Sequence, residues 1–264
     1  MSDEILYNIS STVIAIGLII ALIAALESGS WLGRKTRARV DDAGKSQANS
    51  LQNAVIGLLA LLLAFTLSMA INRYDVRRQL VLDEADAIGT TYLRAKMLPA
   101  PYAADTANLL RQYVANRLDF FNAGADEARV QAASDQAAKL QQQLWAIAVN
   151  ASAQDSRSVP IGLYVQTLND TIDLQAKRLA AFENRVPETV IWLLLGVAVA
   201  TAGIVGYNNG LGNRRHVVAA LILVALIVVI VWAIIDLDRP RRGLITVSQQ
   251  SMIEVQNFIE HDQP

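Results

Sequence analysis

Hydrophobic residues along this chain are gathered into blocks. Residues 5–26, 54–71, 189–207 and 217–235 are apolar and contain no charged side chain. A bilayer hydrocarbon core of roughly 30 Å takes about 20 helical residues to cross, so each block predicts a membrane-spanning helix. The spans form two pairs, the first joined by residues 27–53 and the second by a short turn over 208–216. Pro187 stands just before the third block and suits the first turn of a helix.

The stretch 72–186 between the pairs is polar, and its breakers divide it. Residues 70–96 predict a helix that ends before Pro99 and Pro101. Residues 102–121 carry apolar positions at Leu109, Leu110, Tyr113, Val114 and Leu118, then stop at Asn122-Ala123-Gly124. Residues 126–149 are rich in Ala and Gln and strongly helix-prone. Residues 150–158 read as a Ser-rich loop, and 159–185 as a further helix opened by Pro160. No β-alternation persists. The expectation is an all-α integral membrane protein with four transmembrane helices and a helical extramembrane domain inserted between helices two and three. The divisions are 1–71, the first membrane pair with its basic loop; 72–186, the helical domain; 187–235, the second membrane pair; and 236–264, a tail that opens on Asp-Arg-Pro and ends in a short helix.

The second span is the most informative. It runs past Ile71 with no Pro or Gly from Ala60 to Ile88, so membrane helix and domain helix read as one. At about 100° per residue, Asn53, Gly57, Ala64, Ser68, Asn72, Asp75, Gln79 and Asp86 share one face. Leu58, Leu59, Leu62, Leu63 and Met69 take the other. A small and polar stripe of this kind suits a helix lining an aqueous path, with Leu61 or Phe65 as a constriction. It suits equally a helix packed tightly on a neighbour, because small residues let backbones approach. Arg73, Arg77 and Arg78 crowd the membrane exit. They read as interfacial anchors, or as a ring of positive charge at a pore mouth in an oligomer. Asp83 and Asp86 share a face and are the acidic candidates at the same mouth. Their alternative is a solvated surface paired with those arginines. Gly196, Ala200 and Gly203 form a small-residue ridge on the third span, read as a helix contact.

Composition narrows the chemistry. The chain has 264 residues, 53% of them hydrophobic, and a formal net charge of -1, so no global field draws it to nucleic acid. It contains no cysteine, which removes thiolate chemistry and disulfides. The two histidines, His216 and His261, have no second ligand at helical spacing, and no metal or cofactor is expected. The glycines of the Gly206–Gly212 run follow no strand and read as a turn, not a phosphate cradle. No set of base, nucleophile and orienting group is found, so an enzyme is not expected. The acidic N-terminus lacks the basic region of a signal peptide, so the first block is expected to remain as a span.

Several of these stretches together resemble a bacterial membrane family described as bestrophin-like. They are Glu27-Ser28-Gly29, the run from Gly57 to Thr66, Arg73 to Leu80, Asp83 to Thr90, Tyr92-Leu93-Arg94, Leu98-Pro99, and Asp236-Leu237-Asp238-Arg239-Pro240. The resemblance covers nearly the whole chain. It implies a more distant likeness to bestrophins, which are oligomeric, mostly pentameric, ion channels with four membrane helices per subunit and a pore lined by the second. Tyr74-Asp75-Val76-Arg77 resembles the Tyr-Asp-Arg-Trp-Trp run that follows their pore helix. This chain has Arg77-Arg78 and lacks the paired tryptophans, and the gating and neck residues are not carried over. The implied setting is a multi-pass protein of the bacterial inner membrane, partnered by the lipid bilayer and by copies of itself. Its permeating ion is not specified. The alternative is a non-conducting scaffold or sensor whose helical domain binds a partner.

Basic residues do not fix the orientation. Arg34, Lys35, Arg37 and Arg39, with Arg214 and Arg215, flank the spans on one side. Arg73, Arg77, Arg78, Lys177, Arg178, Arg185, Arg239, Arg241 and Arg242 flank them on the other at similar density. A bestrophin-type arrangement implies a cytoplasmic domain and termini, which a tag at Pro264 would locate.

Overall fold

The computed structural model describes residues 9–212, 217–239 and 243–262, and among them there are helices and no strand. The expected span start at Ile5, the basic pair Arg214-Arg215, His216, Pro240, Arg241, Arg242 and the tag position Pro264 lie outside the described residues. The helices are α1 (Ser11–Thr36), α2 (Asp42–Ala95), α3 (Tyr102–Asn122), α4 (Glu127–Gln154), α5 (Val159–Glu183), α6 (Glu188–Leu211), α7 (Val217–Leu237) and α8 (Gln250–His261), with a 3-10 turn at Arg37–Arg39 between the first two. Among the described residues four stretches of helix are long and apolar enough to cross a membrane; three contain the apolar blocks 54–71, 189–207 and 217–235, and the first, from Ser11, holds the block 5–26 from residue 11 onward.

Local chemistry explains most boundaries. Ser10 caps α1, its hydroxyl accepting from the Val13 N–H at 3.3 Å. Asp41 accepts from Gly44 N–H at 2.8 Å at the head of α2. Helix α2 has 54 residues and is unbroken from Ile71 to Leu82, as the absence of breakers predicts. It ends where Pro99 and Pro101 approach. Gly124, at φ 58, makes the left-handed turn into α4, which Asp126 caps through Arg129 N–H at 3.1 Å.

Three connections are shorter than the sequence suggests. The stretch 27–53 is not a loop. Helix α1 continues to Thr36 and α2 begins at Asp42, so only residues 37–41 connect them. The Ser-rich loop begins later than Asn150, because α4 runs to Gln154 and buries Ala151 completely. There packing overrides the weak helix propensity of Asn and Ser. Likewise α6 runs through Asn208 and Asn209 to Leu211, so the Gly206–Gly210 run is helical and not a turn.

The chain folds as two compact units. The membrane unit comprises the chain up to Asn72 together with Arg185–Arg239. Its core joins Leu18 and Leu22 of α1, Leu59, Leu63 and Ala70 of α2, Leu194 and Ala198 of α6, and Val224, Ile227 and Val231 of α7. Helices α1 and α6 touch backbone to backbone. A Cβ on Gly29 would run into the Gly203 carbonyl, one on Gly33 into Tyr207, one on Gly206 into Leu26 and one on Gly210 into Ser30. Such a crossing requires small residues, and in a membrane, where apolar burial does not distinguish protein from lipid, close packing is what holds helices together. The expected ridge therefore shifts by one turn and more: Gly203 takes part, while a Cβ on Gly196 would meet nothing within 4 Å. Val13, Ile16, Ile20, Val218, Ile222 and Val229 face outward, as lipid-facing positions do.

The helical unit comprises Arg73–Asn184 and the tail from Pro240. Ile88 and Tyr92 of α2, Leu110 and Tyr113 of α3, Leu140 and Leu144 of α4, Tyr164 and Leu168 of α5, and Met252 and Ile259 of α8 form its core. The short helix expected in the tail is α8, and it completes that core.

Candidate functional site

Helix α2 presents two faces. In the membrane unit Leu59, Leu63, Thr66 and Ala70 point inward at 2, 7, 4 and 0% exposure. Asn53, Gly57, Ala64, Ser68 and Asn72 are exposed. Leu61 and Phe65 lie on the same open side, at 52 and 67%. A Cβ on Gly57 would meet nothing within 4 Å. In the helical unit Asp75, Gln79 and Asp86 are exposed as well. The i, i+3, i+4 spacing that groups these residues in the sequence also groups them on the open side of the helix. Leu58, expected on the opposite side, is exposed too.

The charged residues after Asn72 separate. Arg73 donates to Asn184 Oδ1 at 2.6 Å. Arg77 is only 2% exposed, donating to the carbonyls of Ala181 at 3.0 Å and Asn184 at 2.8 Å. These are carbonyls at the C-terminus of α5, which lack helical partners and carry the negative end of the helix dipole. The Arg77 guanidinium is thus buried and engaged with the chain's own backbone. Arg78 remains exposed. Asp83 is half-buried and accepts from Gln79 at 2.8 Å. The acidic run splits, since Glu84 turns inward while Asp86 stays outside. Among the described residues no three His, Asp or Glu side chains converge as a metal site.

Glu84 is the centre of a buried ionic cluster that the sequence reading did not assemble. Its Oε1 accepts from Arg117 Nε at 2.7 Å and its Oε2 from Arg178 Nη1 at 2.5 Å, with all three side chains at 0 or 1% exposure. Arg178 Nη2 donates to Gln249 just before α8. Burial lowers the Arg178 pKa, Glu84 opposes that shift and Arg117 adds to it. Burial, then the negative charge of Glu84, pushes the neighbouring Tyr113 hydroxyl up. The signal was there in the spacing. Glu84 follows Val81 and precedes Ile88, and Arg117 follows Leu110, Tyr113 and Val114, all at core intervals of three, four or seven. A charge on an apolar stripe has to be paired inside.

The Asp236–Arg239 motif has a structural use in the membrane unit. Asp236 accepts from Ser11 Oγ at 3.3 Å, and Asp238 Oδ2 accepts from Val186 N–H at 2.8 Å, both carboxylates being buried. The motif at the end of α7 thus ties down the first turn of α1 and the approach to α6.

This arrangement of helices is shared with solved structures. A membrane protein carrying a point substitution matches at 14% identity with TM-score 0.63, over 93% of this chain and 98% of that one. A bacterial bestrophin homologue from Klebsiella pneumoniae, also with a point substitution, matches at 14% identity with TM-score 0.59, over 93% and 97%. At that identity the likeness is one of fold. No curated protein matches the chain. The sequence itself carries the family's signature, because residues 15–252 match the Bestrophin-like domain. With the match spanning most of the chain and four helices fit to cross a bilayer, this membrane protein belongs to the bestrophin-like family.

Proposed function

We propose that the chain is a subunit of an oligomeric ion channel of the bacterial inner membrane, with α2 lining the pore. The observation that carries this reading is the open side of α2. Gly57, Ala64, Ser68 and Asn72 are small or polar, lie on a helix apolar enough to span, and are left uncovered by the other helices of their own unit. A polar stripe at membrane depth has to meet protein or water rather than lipid. Copies arranged about an axis supply both, and five copies is the number that bestrophin membership suggests. Leu61 and Phe65 project from the same side and serve as the hydrophobic constriction. Asp75, exposed one helical turn past Asn72 and two past Ser68, serves as the carboxylate at the mouth, with Asp83, Asp86, Arg73 and Arg78 as its charged surroundings. The helical unit lies outside the bilayer, on the cytoplasmic side, between the second and third spans in sequence.

The purified protein is expected to run as an oligomer by native mass measurement and to conduct in planar bilayers. Leu61→Ala and Phe65→Ala raise the current, and Asp75→Asn moves the reversal potential under a salt gradient. A monomer, or silence from the wild type and from both widened variants, rejects the channel. Silence from an intact oligomer favours the second reading, a scaffold or sensor whose helical unit binds a partner. The large apolar side chains Leu58 and Phe65, which would pack well against a neighbouring helix, are the observation on its side.

A further inference from the structure

One carboxylate of the membrane unit takes no part in its packing. Glu27 is the first charged residue after the apolar block of α1, and it shares a cleft with the first turns of α7, so it stands at the edge of the hydrocarbon layer. It is exposed, and among the described residues no ion pair or hydrogen bond reaches its side chain. An ionisable group at such a depth calls for a partner.

The cleft lies between α1, α6 and α7 and measures about 480 Å³, open mouth included. Its floor is Ser30, Ala220 and Val224, at 3, 4 and 6% exposure. Its lips are Ile23 and Leu221, both exposed. Ile16, Ile20 and Ile23 make one outward line on α1, and Val218, Leu221 and Ile222 make another on α7. Both lines are lipid-facing surfaces, and both run to the lips. Three polar side chains, Glu27, Ser30 and Asn209, break the apolar lining, and no basic one joins them.

An occupant of this cleft is therefore amphipathic. Its apolar part lies along the isoleucine line, and its polar end meets Glu27. One carboxylate without a basic neighbour in the lining selects a cation. The Ser30 hydroxyl and the Asn209 carbonyl add acceptors, so a primary ammonium with three N–H donors fits where a quaternary one has none to give. We propose that the cleft holds the headgroup of a phospholipid bearing a primary amine, a phosphatidylethanolamine, with an acyl chain along Ile23 and Ile20. The Asn209 amide, a donor as well as an acceptor, suits the phosphate next to the amine. The headgroup is a zwitterion and brings no net charge to the hydrocarbon edge. An anionic headgroup would set its phosphate against Glu27 with no cation between them. The site is independent of the pore reading, and loss of conduction would leave it untouched.

Full-length protein in detergent is incubated with phosphatidylethanolamine, phosphatidylcholine or phosphatidylglycerol of identical chains, and retained lipid is read by native mass spectrometry. Wild type is expected to retain phosphatidylethanolamine at least about tenfold better than the other two. Glu27→Gln is expected to lose that preference and keep the oligomer mass of the wild type. Should Glu27→Gln fail to fold, Leu221→Trp narrows the mouth from an exposed lip and is expected to lose the preference too. Glycerophosphoethanolamine, the same headgroup without chains, is expected not to displace the lipid. Equal headgroup profiles in wild type and Glu27→Gln, or a full preference kept by Leu221→Trp, overturn the proposal. Displacement by glycerophosphoethanolamine makes the ligand a soluble amine, and a changed oligomer mass in Glu27→Gln makes the cleft a contact between copies. Either result overturns it as well.

Discussion

At Glu84 a single carboxylate serves two guanidinium groups in an interior closed to bulk water. Removing its charge leaves both cations without a counter-ion, and the general cost of breaking a buried pair is about 3–5 kcal/mol. Glu84→Gln is therefore expected to destabilise the protein by that amount in chemical denaturation followed by circular dichroism. Asp86→Asn, two residues on and exposed, is expected to leave the curve in place. Equal curves for both variants would contradict the assignment of Glu84 as the hub. The sequence displays Asp83, Glu84 and Asp86 as one acidic run, and nothing in composition tells the inward residue from the outward ones. Only the phase of the apolar stripe through Val81 and Ile88 does so.

Among elements, the pairing of α1 with α6 depends on having no side chains at the contact. Gly206→Ala would drive a methyl into the Leu26 carbonyl, which is backbone and cannot swing aside. Overpacking of this kind costs about 1–3 kcal/mol. We expect Gly206→Ala to lower the unfolding temperature in detergent, while Gly196→Ala, whose Cβ would meet nothing within 4 Å, does not. If Gly196→Ala destabilises as much, the crossing is drawn in the wrong register. This contact was illegible as such in the sequence. Asn208-Asn209-Gly210 reads as a breaker by soluble-protein habits, yet at a membrane helix end the same glycines serve close approach, and Asn208 is held by Gln52 Oε1 at 2.7 Å and the Ala48 carbonyl at 3.0 Å. The faces of α2 were legible, because a helix without breakers keeps its phase over its whole length and the polar positions recur on it.

For the whole molecule, assembly about α2 makes a geometric prediction that the chain is well suited to test, since it has no cysteine of its own. Ser68→Cys, on the open side of α2, is expected to form disulfide-linked dimers on mild oxidation in membranes. Val229→Cys, 60% exposed on α7, is expected to stay monomeric on a denaturing gel. Cross-linking through Val229 alone would turn the subunit around and place α7 nearest the axis. The tail has a consequence of another kind, one of timing. The helical unit draws its interior from residues on both sides of the last two spans, with Met252 and Ile259 buried among side chains of α2, α3 and α5. A ribosome makes those residues only after α6 and α7 have been synthesised. Until then the earlier helices of the unit wait with an uncovered apolar surface, and Arg178 waits without Gln249. Completion of this interior is thus tied to the end of membrane insertion, and a chain stalled between α7 and α8 would carry all four spans together with an unfinished core that quality-control proteases can recognise.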